Sequence, residues 1–391
     1  MKNFKDDFLL EDVIIFLNHG SFGACPRPVF EVYQEWQRRL EQQPVRFLGR
    51  EALDLLAEAR TELADYLNTQ PDNLVYMPNP TTAINMVVRS LDLKPGDEVL
   101  TSDHEYGAMD RTWRYICGQS GAKYVHQPIP LPVTTPEEFI EVFLAGITPS
   151  TRIIFLSQIT SQTALTFPVR EICARARELG ILSIVDGVHV PGHIPLDLQA
   201  IDADIYTGAC HKWLCASKGS DFLYAHPQIQ SKLDPLVVSW GYESDKPGPS
   251  QFIDYHEWQG TRDLAAFLAV QSAIQYQREN DWHSVSQRCH DLALQAHSRV
   301  NSLTVLEPLS PADKIWFQQM VAMRLPDAID HQSLKDYLYD QHQIEVLTHT
   351  WQDLSYLRVS FQAYNQQADL DILLGALEQY ISKEENYHEI N

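Results

Sequence analysis

A lysine and an aspartate occupy two neighbouring apolar segments of the sequence. Asp186 ends the strand-like run SIVDGVH, and Lys212 follows 26 residues later within IYTGACHKWLCASKG. A lysine amine can form a Schiff base with an aldehyde, and a carboxylate can keep the pyridine nitrogen of pyridoxal 5′-phosphate protonated. The pair therefore suggests pyridoxal phosphate chemistry, although spacing alone equally allows Asp186 to cap a loop and Lys212 to lie at the surface.

Further polar residues lie where a phosphate or a planar ring could bind. Thr81 and Thr82 stand at the predicted start of a helix, where backbone amides and the helix dipole favour an anion, although N-capping is the simpler interpretation. His104 follows a predicted strand, and His189 lies three residues after the aspartate; either ring could meet a planar cofactor or be an ordinary loop histidine. His193 completes the motif HVPGH, but its proline and glycine interrupt a helix, so we predict no metal site.

An arginine in a strand-like run supplies a candidate substrate contact. Arg358 lies within YLRVSFQAYN, where an inward-pointing guanidinium would be costly unless it met an anion. The α-carboxylate of an amino acid suits the two-pronged geometry of arginine. A structural ion pair is the alternative interpretation.

Alternating apolar and amphipathic segments position these residues. Short buried strands are predicted at 97–102, 122–127, 151–157, 181–187, 203–208 and 221–225. Helices are predicted after Pro80, after Thr134 and over 168–180. This alternation predicts an α/β fold with a mostly parallel sheet between helices and with ligands at the carboxyl ends of the strands.

The pattern changes after about residue 265, where a long helical stretch is followed by apolar segments and a last helix. We therefore predict a smaller α+β C-terminal domain over 261–391 and a large domain over 31–260. Residues 1–30 form a separate N-terminal segment in this division. The amphipathic run 28–43 is expected to pack across both domains.

Composition narrows the possible partners. A formal charge of −22 repels nucleic acid and anionic membrane surfaces, so we expect neither partner. The sequence shows no apolar run of membrane-spanning length and no signal-peptide pattern at its start, which favours a cytoplasmic protein. The six cysteines are scattered, which favours reduced thiols over disulfides or a zinc cluster.

The order of several motifs resembles one family. FLNHGSFGACP, NPTTAIN, SDHEYGAMDRTW, DGVHVPGHIPLDL, YTGACHKWLCASKGSDFLY, WQGTRD and LRVSFQAYN follow one another between about residues 14 and 365. Together they resemble the class V aminotransferase family of fold-type I pyridoxal-phosphate enzymes, and most closely its isopenicillin N epimerase-like branch. DGVHVPGH followed at this distance by HKWL carries most of that resemblance.

The resemblance implies roles around a bound cofactor. Lys212 would hold pyridoxal phosphate and move the α-proton, Asp186 would pair with the pyridine nitrogen, and His104 would stack on the ring. His189 and Ser161 would lie near the phenolic oxygen. The expected phosphate ligands are Thr81, Thr82 and His211, with Gly260 and Thr261 of a neighbouring subunit. The position three before the lysine is Ala209 here, so one phosphate anchor is missing or replaced by Thr207.

The resemblance also implies the substrate side of the site and leaves the reaction open. Arg358 would bind the substrate carboxylate, and the segment with Asn18, His19 and Gly20 would close over an amino-acid substrate. Epimerisation, carbon–sulfur bond elimination and transamination all start from α-proton removal, and a pyridoxal-binding protein without turnover is a further possibility. Persulfide-forming desulfuration is disfavoured because the stretch 344–359 contains no cysteine. A homodimer with shared active sites is expected.

Overall fold

The computed structural model describes residues 4–390, and the side chains of residues 4–383. The strands are β1 (Ile15–Phe16), β2 (Leu74–Met77), β3 (Glu98–Ser102), β4 (Lys123–Gln127), β5 (Thr151–Ser157), β6 (Leu182–Asp186), β7 (Ile205–Ala209), β8 (Asp221–Ala225), β9 (Met320–Arg324), β10 (Ile344–Glu345), β11 (Leu347–Trp351) and β12 (Leu354–Ser360). The helices are α1 (His19–Phe22), α2 (Arg27–Gln42), α3 (Pro44–Arg46), α4 (Ala52–Tyr66), α5 (Pro80–Ser90), α6 (Gly107–Ser120), α7 (Pro136–Leu144), α8 (Val169–Glu178), α9 (Leu198–Ile201), α10 (Pro227–Gln230), α11 (Gln251–His256), α12 (Ala265–Leu268), α13 (Val270–Glu279), α14 (Trp282–Thr304), α15 (His331–His342) and α16 (Gln367–Ile390).

A seven-stranded sheet forms the centre of the molecule. Its strand order is β2-β8-β7-β6-β5-β3-β4, and β8 alone runs antiparallel to its neighbours. The mostly parallel α/β sheet predicted from the sequence is therefore confirmed, and each predicted strand lies within two residues of its expected bounds. Strand β2 was not predicted, because its four apolar residues are too few to show a period.

Helices cover both faces of this sheet. Ile184 packs on one face with Ile84 of α5 and Trp113 of α6. Val185, its neighbour in β6, packs on the other face with Ile172 of α8. Successive side chains of a strand point to opposite faces, so an uninterrupted apolar run marks a strand that is buried on both sides.

A second, antiparallel sheet of order β11-β12-β9 lies in the last third of the chain and packs against α14 and α15. The N-terminal segment joins this region, because β1 pairs with β10 and Asn18 pairs with Ser360. Helices α12 and α13 pack against α2 and α4, which places residues 265–279 against the N-terminal helices. The limits 1–30, 31–260 and 261–391 remain a prediction.

The helical stretch predicted over 265–280 is divided in two. Leu264 and Ala269 both have a ψ close to zero, so the chain turns before α12 and again before α13. Among the described residues, none of the helices combines the length and the apolar character needed to cross a lipid bilayer.

Candidate active site

A cavity of about 390 Å³ opens at the carboxyl edge of the central sheet, between that sheet and the small antiparallel sheet. Of the residues singled out in the sequence, those lining it are Gly20, Thr81, Ser161, Asp186, His189, His211, Lys212 and Arg358. Chain segments more than 300 residues apart therefore meet at one site.

Strand pairing brings the lysine and the aspartate together. Asp186 is the last residue of β6, and its partner in the adjacent strand β7 is Thr207. Lys212 follows three residues after β7 ends. Because parallel strands end at the same edge of a sheet, both side chains enter the cavity from one side.

Asp186 is a buried carboxylate with one oxygen available to a ligand. Its Oδ1 accepts a hydrogen bond from the backbone N–H of Val188 at 3.0 Å, and no described residue donates to Oδ2. Burial raises the pKa of this carboxyl to about 6, and the nearby Lys212 opposes that shift. A protonated ring nitrogen would supply the missing donor, so this position fits the pyridine end of pyridoxal phosphate.

Lys212 lies beside an imidazole whose protonation is fixed by a tryptophan. The indole Nε1 of Trp213 donates to His189 Nδ1 at 3.2 Å, so the proton of the neutral ring lies on Nε2, which is 3.4 Å from Lys212 Nζ. Burial lowers the pKa of His189 well below its usual value. Burial, assisted by the charge of Arg358, also lowers the pKa of Lys212 to about 7. A large share of the lysine is then the neutral amine, the form that attacks an aldehyde.

The first turn of α5 contributes Asn79, Pro80 and Thr81 to the lining of the cavity. Asn79 caps this helix, since its Oδ1 accepts from the backbone N–H of Thr82 at 2.8 Å and from the Thr82 hydroxyl at 3.0 Å. Thr81 lines the cavity, and amides in a first helical turn lack intrahelical partners, so this end fits a phosphate. Because the Thr82 hydroxyl is bound to the cap, the structure does not place it among the lining residues. The missed residue, Asn79, is signalled by the asparagine–proline pair in NPTTAIN.

A buried acid orients the second candidate phosphate ligand. His211 lines the cavity, and its Nδ1 lies 2.9 Å from Oδ1 of the fully buried Asp221. Burial raises the pKa of Asp221 to about 6, and the contact with the imidazole opposes this. Sequence reasoning missed Asp221, although an acid that opens an apolar strand is a usable signal.

Three residues predicted to contact the cofactor lie outside the cavity. The hydroxyl of Thr207 donates to the carbonyl oxygen of Phe222 at 2.8 Å within the sheet, so it does not replace the anchor missing at Ala209. Gly260 and Thr261 lie outside the cavity in the connection after α11, and their role across a subunit interface remains a prediction.

The assignment of His104 to the cofactor face is corrected by the structure. Its ring is fully buried, with Nδ1 2.8 Å from Thr163 Oγ1 and the ring centre 4.4 Å from that of Trp351. It packs in the core, where it contacts Phe167 and Trp351. Tyr106, the N-cap residue of α6, is 47% exposed and lines the cavity two residues further along the chain. His104 and Tyr106 lie two residues apart in the motif SDHEYG, and the sequence pattern does not show which of the two rings faces the cavity.

Arg358 is a buried cation without a carboxylate partner among the described residues. It is 1% exposed, its Nη1 donates to the carbonyl oxygen of Ser161 at 2.6 Å and its Nη2 to Ser21 Oγ at 3.1 Å. Within the described part of the chain, its Nε has no hydrogen-bond partner. Burial lowers the pKa of the guanidinium to about 10. An unpaired buried charge costs free energy, so the arrangement is suited to an incoming anion.

The remaining predicted residues are placed differently from expectation. Ser161 contacts Arg358, so it lies beside the group that is suited to an incoming anion and not beside a ring oxygen as expected. Asn18 donates from Nδ2 to Glu345, and His19 is fully buried with Nε2 3.0 Å from the backbone oxygen of Lys212. Neither lines the cavity, so of the three residues expected to close over the substrate only Gly20 reaches it. His349, which was not singled out, does line it.

The fold and this site define a fold-type I pyridoxal-phosphate enzyme. The family model of the class V aminotransferases matches residues 16–373, and the chain belongs to that family. Pyridoxal 5′-phosphate is its cofactor, in agreement with the fit of the donors around Asp186, Lys212 and Thr81.

Known relatives carry out more than one reaction. The chain is 36% identical to the isopenicillin N epimerase of Amycolatopsis lactamdurans, covering 96% of this chain and 98% of that protein. It is 25% identical to a probable chloroplastic L-cysteine desulfhydrase of Arabidopsis thaliana, covering 92% and 82% respectively. The apo cysteine desulfurase of Thermococcus onnurineus NA1 shares the fold with a TM-score of 0.85 at 18% identity, over 98% of this chain and 99% of that one.

Proposed function

We propose that this enzyme inverts the α-carbon of an amino acid, or of a peptide that ends in a free α-amino acid, as an isopenicillin N epimerase does. One observation carries the proposal: the unpaired guanidinium of Arg358 shares a cavity with the amine of Lys212. The first group fits an α-carboxylate, and the second can remove the α-proton. The 36% identity to an epimerase over nearly the whole chain supports the same reaction.

Cofactor binding is assigned to residues of the large sheet. Asp186 would meet the ring nitrogen, His189 Nε2–H would donate to the phenolic oxygen, and Thr81 with His211 would bind the phosphate. Tyr106 supplies the aromatic contact. Bound pyridoxal phosphate supplies an electron sink for the electron pair left behind when the α-proton is removed.

Proton transfer falls to the side chains of the cavity. Lys212 Nζ takes the α-proton, and the burial of this lysine, which lowers its pKa in the cofactor-free protein, favours the neutral amine that a base requires. Inversion also needs a proton delivered from the opposite side of the α-carbon. Among the lining residues, we assign this delivery to the Tyr106 hydroxyl or to the N–H of the neutral His349 ring.

Carbon–sulfur elimination is the second candidate. Relatives named L-cysteine desulfhydrase and hercynylcysteine sulfoxide lyase match the chain at 24 to 30% identity. None of the cysteines lines the cavity, so no thiol is placed there to accept sulfur as a persulfide.

Proton NMR in deuterium oxide separates these reactions. The pyridoxal-loaded enzyme is mixed with L-amino acids, cysteine derivatives and peptides bearing a free α-amino acid end. Loss of the α-proton signal with the carbon skeleton retained, and formation of the D-enantiomer in chiral analysis, is the expected result. Keto acid with released thiol or sulfenate would make the enzyme a lyase. Keto acid with aminated cofactor would make it an aminotransferase, and no exchange with any substrate would leave a binding protein.

We further propose that the enzyme is a homodimer. The segment 236–242 exposes several large apolar side chains, with Val238 67% and Trp240 86% exposed. A neighbouring subunit would cover this segment and bring Gly260 and Thr261 to its partner's phosphate. W240E should be monomeric in light scattering and should bind the cofactor more weakly, whereas V305E, at another exposed apolar residue, should match the wild type.

A cytoplasmic location remains a prediction.

A further inference from the structure

A short N-terminal strap, residues 18–23, touches both functional groups of the site. His19 contacts the backbone of Lys212, and the hydroxyl of Ser21 accepts a hydrogen bond from Arg358. Ser21 also donates to Asn18 Oδ1 at 2.6 Å, which links it to the first residue of the strap. The base and the carboxylate-binding arginine, 146 residues apart in sequence, therefore share one support.

Both ring nitrogens of His19 are fixed. Nε2 lies 3.0 Å from the carbonyl oxygen of Lys212, and Nδ1 lies 2.9 Å from the hydroxyl of Tyr364. A carbonyl oxygen only accepts, so Nε2 carries the hydrogen and Nδ1 accepts from the tyrosine. Burial lowers the pKa of His19 to about 3, which keeps the ring neutral. The ring is fully buried, so it supports the lysine from behind and does not reach the substrate.

The strap backbone packs directly against the backbone of His211 and Lys212. Gly23 has a φ of +69°, and a Cβ built there would lie 2.1 Å from the carbonyl oxygen of His211 and 2.9 Å from Lys212 Cα. Only glycine fits this position. Such close approach means that a shift of the strap moves the backbone of Lys212.

We propose that His19 is a positioning residue for Lys212, holding the peptide plane after the lysine so that its amine points into the cavity. The role of Lys212 as base comes from the proposed function; the positioning contact does not depend on which reaction follows. A displacement of about 1 Å at a reacting group can lower the rate about 100-fold, so losing the contact between His19 and the Lys212 backbone should lower the rate.

Two conservative variants separate positioning from simple stability. In H19Q the side-chain amide nitrogen takes the place of Nε2 and keeps a donor for the Lys212 carbonyl. In H19N the side-chain amide reaches only the place of Nδ1 and keeps the Tyr364 contact instead. The readout is the pH dependence of Lys212 labelling by trinitrobenzenesulfonate in the cofactor-free protein, followed by mass spectrometry of the Lys212 peptide.

We expect the wild type and H19Q to share a labelling midpoint near pH 7. In H19N the midpoint should rise by about one unit, because a displaced amine gains water and its charged form is favoured. In the loaded enzyme, kcat for α-proton exchange should fall about 100-fold in H19N with KM nearly unchanged, and H19Q should retain most of the rate. H297N, at a buried histidine of α14 that packs on Phe317, controls for the loss of a core imidazole.

Equal labelling midpoints in H19Q and H19N would overturn the positioning role, whatever reaction the enzyme catalyses. Different midpoints combined with no α-proton exchange by the wild type would leave the positioning role standing and remove the proposed function instead. Should H19N fail to fold, H19A with and without added imidazole makes the same comparison, since free imidazole can restore the donor. A midpoint that imidazole does not return toward pH 7 would then count against the proposal.

Discussion

The cavity has two walls that are built in different ways. The cofactor wall, made of Asp186, His189, His211 and Lys212, comes from two sequence motifs at the ends of adjacent parallel strands. The substrate wall, made of residues 20–22 of the strap with His349 and Arg358, combines the N-terminal segment with the small sheet. The first is therefore local in sequence, and the second exists only after distant chain segments have met.

The two walls also differ in how their charged groups are satisfied. On the cofactor wall, Asp186 and Lys212 carry opposite charges that interact with each other, and His189 accepts a hydrogen bond from Trp213. On the substrate wall, Arg358 meets only neutral oxygens among the residues that the structure describes. This difference supports the proposal that the cofactor wall holds a group that stays bound, whereas the unpaired charge of the substrate wall meets a ligand that is exchanged in each turnover.

Removing Lys212 from the cofactor wall should have the largest effect on the rate of α-proton exchange. K212A should lower α-proton exchange by at least about 10⁴-fold, because single catalytic residues of this kind carry effects of that size. The fold should be retained, as judged by circular dichroism and the melting temperature. K232A, at a surface lysine, serves as the control. Unchanged turnover in K212A would remove Lys212 from the mechanism.

The buried acid of the cofactor wall should show itself in the stability of the cofactor-free protein. Burial raises the pKa of Asp186 from its ordinary value to about 6, so between about pH 4 and 6 the folded protein holds a proton that the unfolded chain releases. Stability contributed by this residue therefore falls as the pH rises through that window. D186N should exceed the wild type by up to about 3 kcal/mol at pH 7 and match it near pH 4. Denaturant unfolding at both values checks this, and a difference independent of pH would contradict it.

The substrate wall should respond through substrate binding. R358Q should raise KM for α-proton exchange by about 10- to 100-fold, the size of a lost charge-assisted hydrogen bond. The cofactor-free variant should be as stable as the wild type or more stable, since a buried charge without a carboxylate partner is removed. R299Q, which breaks the exposed pair with Asp371, should leave KM unchanged. Strong destabilisation by R358Q would instead indicate a structural arginine.

The smallest expected effect distinguishes the two aromatic residues of one motif. Y106A should weaken cofactor affinity about tenfold, as expected for an aromatic contact, and Y106F should keep it. H104Q should lower the melting temperature and leave the affinity close to that of the wild type, because this ring packs on Trp351 away from the cavity. Fluorescence titration with pyridoxal phosphate measures both. A larger loss of cofactor affinity in H104Q than in Y106A would support the original assignment, in which His104 stacks on the cofactor ring.

The sequence was most informative where function follows from the chain locally. Asp186 and Lys212 could be recognised because a strand end and the turn after the next strand must lie side by side in a parallel sheet. His104 was misplaced because the motif SDHEYG does not show which side chain turns inward at the start of α6. Asn18 and His19 were expected at the substrate from the family resemblance. The structure places both away from the cavity, and a segment this short gives no sign of which of its side chains will be buried.

The sequence by itself determined the α/β alternation, the pyridoxal phosphate family and the residues of the cofactor wall, because strand period and motif spacing are properties of short stretches. Only the tertiary structure decided that Tyr106 faces the cavity, that Arg358 lacks a carboxylate partner among the described residues, and that His19 supports Lys212 from behind. These outcomes depend on which distant segments pack together. Packing decides which side chains are buried, and burial shifts their pKa values and makes each buried polar group require a hydrogen-bond partner.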